Sequence, residues 1–203
     1  MGKNPPFYNK VITMNEEQYK KDYKKYLSPC LKGKPCIKLD KGTCDKITKL
    51  AEDIVKAKIS ENHHIYDNNQ EFKRFYTGLL GEAALEKLLN TKIVDYNVGL
   101  SNYFNVADLN KQGLNIGIKT SEKWKFPVIH KHVERPEIIN IKKDDSTIIC
   151  LGLATIEVLK HYQSSIYILS PKLKERGTKA CFYGFDKLIP IKKLEDLKQW
   201  SFV

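Results

Sequence analysis

The sequence predicts a mixed α/β domain of the α+β kind, with a central mixed sheet flanked by helices. Two observations predict it: a long helical pattern is followed by several short apolar runs typical of strands, and the composition is that of a globular protein. The chain has 203 residues, of which 41% are hydrophobic and 29% are charged. A chain of this size can bury one ordinary core.

Helices are predicted where apolar residues recur at helical spacing. The predicted helices cover 15–27, 43–59, 71–90 and 194–200, and 155–162 is either a helix or a strand. The helix at 71–90 is apolar around much of its circumference and should be largely buried. It contains Gly78 and Gly81, each of which costs about 1 kcal/mol relative to alanine. Retention of both glycines predicts close approach of another element.

Strands are predicted at 92–98, 103–109, 113–120, 147–153, 165–170 and 180–185, and a loop rich in Gly, Pro and Lys at 28–43. The organisation predicted from this order is an N-terminal helical extension over residues 1–65 and a core domain over residues 66–203.

The net charge of +11 and the pI of about 9.3 favour a polyanionic partner, and nucleic acid is the leading class. The alternative is a lysine-rich composition without functional meaning. No apolar segment has the length of a membrane span, and the N-terminus does not resemble a secretory signal. We therefore expect no membrane association and a cytoplasmic location.

Five cysteines and no export signal predict reduced thiols rather than a disulfide framework. Cys30, Cys36 and Cys44 cluster in sequence and are followed by His63 and His64. A zinc site is the alternative, although the spacing differs from the paired cysteines of structural zinc sites.

The most informative segment is the strand predicted at 113–120. Because side chains alternate between faces, Leu114, Ile116 and Ile118 should face the core while Gly117 and Lys119 share the other face. A second residue of interest, Asp108, ends the preceding predicted strand. A hairpin between the two strands would bring its carboxylate beside Lys119.

Two carboxylates, Glu82 and Glu86, interrupt an apolar stripe of the helix at 71–90. A buried carboxylate without a partner costs several kcal/mol, so each needs a cation, a donor or access to solvent. A metal ion shared with Asp108 would satisfy Glu82. An ordinary ion pair with a lysine is the alternative.

Glu82, Asp108 and the strand segment Ile116-Gly117-Ile118-Lys119-Thr120-Ser121 together resemble the PD-(D/E)XK nuclease superfamily. The resemblance covers about residues 70 to 170. It implies a restriction-endonuclease-like fold and the activity of a metal-dependent DNA endonuclease. A restriction enzyme is one option within that class. By resemblance, Lys119, Asp108 and Glu82 are catalytic. Glu82, Asp108 and the backbone carbonyl of Ile118 would bind Mg²⁺ or Mn²⁺.

One position departs from the family pattern, because Gly117 stands where a second strand acid is usual. The acid could have migrated to Glu82 or Glu86, or Glu122 could take its place despite the wrong strand parity. A degenerate site is the third explanation. In that case the chain is an inactive nucleic-acid-binding or inhibitory module on the same fold.

The segment downstream of Lys119 mixes aromatic and basic residues, which suits a loop facing DNA. The residues predicted to contact nucleic acid are Ser121, Lys123, Lys125, His130 and Lys131. A packed loop with solvated lysines is the alternative. DNA is the expected partner, and the resemblance makes a homodimer an option because two strands must be cut.

Overall fold

The fold is mixed α/β, as the sequence predicts, in a computed structural model that describes residues 14–60, 67–98 and 106–201. These residues form six α-helices and seven strands. The helices are α1 (Glu16–Leu27), α2 (Lys41–Ser60), α3 (Asn68–Leu89), α4 (Ile156–His161), α5 (Pro171–Arg176) and α6 (Glu195–Lys198). The strands are β1 (Cys36–Lys38), β2 (Gly117–Glu122), β3 (Val128–His130), β4 (Glu137–Lys142), β5 (Thr147–Ala154), β6 (Gln163–Ser164) and β7 (Lys179–Phe182).

The strands form two sheets. The larger sheet has the order β1-β5-β4-β2, in which β2 runs parallel to β4 and the other neighbours are antiparallel. The smaller sheet is antiparallel, with the order β3-β7-β6. Because β2 is an edge strand of the larger sheet, one side of its backbone is open to partners other than strands.

The larger sheet separates two hydrophobic cores. One core lies against α2 and α3; it includes Leu50, Leu80, Leu85, Ile118 and Ile138. The other contains side chains of α1 and of the smaller sheet; it includes Tyr19, Phe126, Ile139, Leu159 and Phe182. Alternation along β4 divides the strand between the two cores, since Ile138 belongs to the first and Ile139 to the second.

The close approach predicted for the glycine-containing helix is found at one of the two glycines. A Cβ placed on Gly81 would lie 1.7 Å from the Thr120 hydroxyl oxygen, whereas a Cβ on Gly78 would meet nothing within 4 Å. Glycine at position 81 therefore lets α3 lie directly against β2. This contact fixes Glu82, the next residue of the helix, close to the strand that carries Lys119.

The predicted helices lie close to the observed ones, and the segment at 155–162 is the helix α4. The strand predictions need corrections. Residues 92–98 form no strand, 106–109 form a turn, and 165–167 form a 3-10 helix. Part of the strand predicted at 103–109 lies outside the described residues. The strand predicted at 113–120 begins only at Gly117, as β2, and the strands β3, β4 and β6 are not among the predicted ones.

The segment at 28–43, predicted as loop, contains β1. This strand pairs with β5 of the larger sheet, with Cys36 opposite Ile149 and Lys38 opposite Thr147. Tyr19, Tyr23 and Leu27 of α1 are buried in the second core. The first 65 residues thus contribute a strand and a buried helix face to the same sheet, while the domain boundary at residue 65 stays a prediction.

A search of the described helices finds none whose length and apolar character would suit a membrane crossing.

Candidate active site

Asp108 reaches the open edge of β2. It lies in a turn rather than at the end of a strand, and its Oδ2 accepts a hydrogen bond from the Ile118 backbone N–H. The Gly117 N–H donates to the Pro136 carbonyl on the opposite side, at 3.0 Å. Since the N–H and C=O of one strand residue point the same way, the Ile118 carbonyl also points towards Asp108. The turn that carries Asp108 therefore brings together the Asp108 carboxylate and the Ile118 carbonyl, the two groups that the family resemblance assigns to the metal site.

Lys119 points to the face that the alternation predicts, and it meets a carboxylate there. Its Nζ lies 3.6 Å from Oε1 of Glu137, the first residue of β4. Glu137 is only 7% exposed, and its Oε2 is buried without a hydrogen-bond partner among the residues that the structure describes. Burial raises the pKa of Glu137, and the neighbouring Lys119 and Arg135 oppose the rise. The sequence analysis did not identify Glu137 because it missed β4.

Glu137 occupies the space next to the missing strand acid. In the parallel pairing of β2 with β4, Gly117 is the register partner of Glu137. A Cβ on Gly117 would lie 3.4 Å from Arg135 Nε, 3.5 Å from Glu137 Cγ and 3.6 Å from Asp108 Oδ2. A side chain at position 117 would thus enter the same group of charges. The acid absent from β2 has a counterpart one strand away.

Glu82 faces this group from α3. It forms no hydrogen bond or ion pair with any residue of the described ranges, and it is only partly exposed. Burial and the negative charges of Asp108 and Glu86 together raise its pKa to about 8, against the opposing charge of Lys119. Asp108 and Lys119 thus lie near enough to act on the charge of Glu82, and among the described residues Glu82 forms no ion pair with a lysine.

Glu86, the other acid of the helical stripe, has a structural role. Its Oε1 accepts hydrogen bonds from the backbone N–H groups of Ile93 and Val94, at 2.7 and 2.9 Å. These contacts tie the segment after α3 back to the helix. Glu122 is also engaged, since it forms ion pairs with Lys73 and Lys125. Both carboxylates are therefore already engaged in hydrogen bonds or ion pairs, whereas Glu82 forms none with the described residues.

Basic side chains border the carboxylates. His130 and Lys179 are register partners on β3 and β7, and Lys179 Nζ contacts His130 Nε2. Burial, together with the positive charge of Lys119, lowers the pKa of Lys179 to about 8. Burial and the charges of Lys179, Lys119 and Arg135 also lower the pKa of His130. A neutral imidazole can therefore accept a hydrogen bond from the Lys179 ammonium.

The donor chemistry of the site suits a hard cation. Among the described residues, Glu137 Oε2 has no hydrogen-bond partner and Glu82 forms no hydrogen bond, while the Ile118 carbonyl points to the same edge as Asp108. Mg²⁺ prefers such oxygen ligands and keeps several waters. Within the described ranges, no three His, Cys, Asp or Glu side chains already stand together as a ready-made metal site. The site therefore suits Mg²⁺ in the type of its ligands and in having oxygens without hydrogen-bond partners among the described residues.

The other residues predicted to contact nucleic acid differ in exposure. Lys123, Lys125 and Lys131 are exposed, and Lys125 is paired with Glu122. Ser121 is partly buried, and its hydroxyl oxygen has no hydrogen-bond partner in the described part of the chain. Ser121 lies within β2, Lys123 and Lys125 lie between β2 and β3, and Lys131 directly follows His130 at the end of β3.

The three clustered cysteines do not converge. Cys30 packs against the second core and Cys44 against the first, and Cys36 is exposed. All five cysteines are free thiols. His63 and His64, the other candidate zinc ligands, lie outside the described residues.

Comparison with known proteins gave no match: no family model fits the chain, and no curated protein or solved structure is similar to it. Functional inference therefore depends on the chemistry of the site. The residues that sequence reasoning missed there are Glu137, Arg135 and Lys179. The only sequence signal for Glu137 was its place at the start of an apolar, β-branched run after Pro136.

Proposed function

We propose that this chain is a metal-dependent DNA endonuclease of restriction-endonuclease-like fold, a member of the PD-(D/E)XK group with a relocated strand acid. The observation that carries the proposal is the position of Glu137, which is buried, is in register with Gly117 and lies beside Lys119. Carboxylates that can hold a metal ion, next to a lysine, can supply the activated water and the charge stabilisation that phosphodiester hydrolysis needs.

Each residue has a role that follows from its surroundings. Glu82, Asp108, Glu137 and the Ile118 carbonyl would hold Mg²⁺ or Mn²⁺. The metal, when bound, supplies Lewis-acid stabilisation of the phosphate charge and a lowered pKa for its water. Lys119 orients the attacking water or stabilises the growing negative charge. Its contact with Glu137 holds the ammonium group in place.

Lys179 and His130 extend the positive charge beyond Lys119. Lys119, Arg135 and Lys179 lie close enough for their charges to act on one another or on the same neighbouring groups, with Glu137 and Asp108 nearby. Basic groups held close together repel one another, and a bound phosphate would relieve that repulsion. We assign these side chains to the DNA backbone next to the cleaved bond.

The experiment that tests this function is cleavage of plasmid and linear DNA with Mg²⁺ or Mn²⁺, beside EDTA and Lys119→Ala. Metal-dependent cutting that is lost in the variant is the expected result. A rate that is the same in EDTA, or in Lys119→Ala, would contradict the proposal. The loss should be at least about 100-fold, the usual contribution of a positioned acid or base.

A second candidate function is a catalytically inactive nucleic-acid-binding module. The observation that favours it is that Lys119 lies 3.6 Å from Glu137 Oε1, so the Glu137 charge already has a cationic neighbour without a metal. This candidate predicts tight DNA binding without cutting under either metal. The same cleavage experiment therefore separates the two functions.

A further inference from the structure

Trp124 stands in an unusual backbone conformation just beyond β2. Its φ is +70°, one of two positive values among non-glycine residues in the described ranges. The Lys125 N–H donates to the Glu122 carbonyl at 3.0 Å, so Trp124 is the third residue of a tight turn. Turns with positive φ at that position usually have glycine or asparagine there. A tryptophan is disfavoured in such a conformation, because its Cβ crowds the backbone.

The strained turn presents the ring to solvent. Trp124 is 41% exposed, and its inner side lies against Tyr23 of α1, with ring centroids 5.5 Å apart. Tyr23 in turn packs edge to face on Phe126 at 5.3 Å. The indole is thus held by a buried aromatic layer while much of its surface stays accessible. This arrangement is a rigid, flat platform.

Two lysines from different elements flank this platform. Lys24 of α1 and Lys123 of the turn each have Nζ 5.6 Å from the Trp124 ring centroid. Neither forms an ion pair within the described residues. By contrast, Lys20 and Lys21 on the same helix are paired with Glu16 and Glu17.

We propose that Trp124, Lys24 and Lys123 form a binding site for single-stranded nucleic acid, in which a base stacks on the indole and the lysines contact phosphates. Stacking on an aromatic ring combined with flanking cations is the physical basis of single-strand binding. The two lysines disfavour a cationic ligand. An apolar ligand would gain nothing from them, whereas a nucleotide uses both the ring and the charges.

The site lies near the candidate active site along the strand. Glu122, the last residue of β2, is roughly 10 Å from Lys119 at about 3.3 Å per residue, and Trp124 follows in the turn. An unpaired nucleotide on Trp124 would therefore lie within a few nucleotides of the cleaved bond. Only this link to cleavage rests on the proposed function; single-strand binding itself does not.

Fluorescence of the full chain tests the proposal, because the sequence contains only two tryptophans. In a Trp200→Phe variant, Trp124 is the only remaining reporter. Titration with oligo(dT) in EDTA should give saturable quenching, since a stacked base quenches the indole. Working in EDTA prevents metal-dependent cleavage, so the result is independent of the nuclease proposal.

Matched variants separate stacking from charge. Trp124→Gly suits the positive φ and should fold, as thermal unfolding will check, yet weaken labelled oligo(dT) binding roughly 5- to 150-fold. The double variant Lys24→Gln, Lys123→Gln should also weaken oligo(dT) binding, whereas the double variant Lys20→Gln, Lys21→Gln should change it little.

Absence of quenching, or a folded Trp124→Gly variant that binds oligo(dT) as tightly as wild type, would overturn the proposal. So would an equal loss of duplex and oligo(dT) binding on Trp124→Gly.

Discussion

Gly117 of β2 and Glu137 of β4 are register partners on two adjacent parallel strands. The glycine stands where the resembled family pattern predicts an acid, and the acid stands where that pattern predicts none. The pairing leaves room at position 117, because the nearest atom to an added Cβ is 3.4 Å away. A carboxylate on either strand would therefore face Lys119 and Asp108. In the proposed nuclease, Glu137 on β4 would supply the charge that the family pattern places at position 117 of β2.

Replacement of Gly81 by alanine should destabilise the fold. The new methyl group would lie 1.7 Å from the Thr120 hydroxyl oxygen and 2.8 Å from its Cβ, so α3 or Thr120 must shift. We expect a loss of about 1 to 3 kcal/mol in the free energy of unfolding, measured by urea denaturation.

Gly78→Ala is the matched control, since its Cβ meets nothing within 4 Å among the described residues. It should stabilise the helix by about 0.5 to 1 kcal/mol. Equal effects of the two variants would contradict the packing described for α3 and β2.

Stability without metal should fall as the pH rises from about 4.5 to about 8. Burial raises the pKa of Glu82 from 4.5 to about 8, so in this window the folded state holds a proton that the unfolded state has lost. Stability contributed by the protonated carboxyl is then lost progressively as the pH increases. Glu82→Gln should reduce the fall in the free energy of unfolding across this pH window by on the order of 1 to 3 kcal/mol, measured by denaturation in EDTA. An unchanged slope in the variant would show that Glu82 is not the buried proton site.

Lys179→Gln should weaken duplex DNA binding and reduce its salt dependence. One phosphate contact contributes about 0.9 to the slope of log K against log salt, so the slope should fall by about 1. Because the pKa of Lys179 is lowered to about 8, wild-type affinity should also decline as the pH rises through that value. The control is Lys187→Gln, since Lys187 is already paired with Asp186. Identical salt slopes in wild type and Lys179→Gln would exclude a phosphate contact at Lys179.

Much of the fold could be predicted because its signals are local. The helical periodicity of α3 gave both its position and its buried character, and strict alternation placed Leu114, Ile116 and Ile118 in the core. The same alternation placed Lys119 on the site face. These predictions depend only on spacing along one element, so no knowledge of its neighbours was needed.

The identity of the second acid could not be predicted in the same way. Glu137 lies 20 positions after Gly117, and the strand β3, which belongs to the other sheet, stands between them in sequence. The strand β4 could have been identified from Ile138, Ile139 and Ile141 before a charged turn. Its parallel pairing with β2 could not, because register between distant segments is set by tertiary packing.

The most direct test of the relocated acid is single-turnover DNA cleavage by Glu137→Gln and by the double variant Gly117→Asp with Glu137→Gln. A metal ligand supports several kcal/mol of transition-state stabilisation, so Glu137→Gln should lower the rate at least about 100-fold. The double variant returns the acid to β2 and should recover at least about tenfold of that loss, whereas Gly117→Ala with Glu137→Gln should recover none. A wild-type rate in Glu137→Gln, or a double variant no faster than Glu137→Gln alone, would contradict the account.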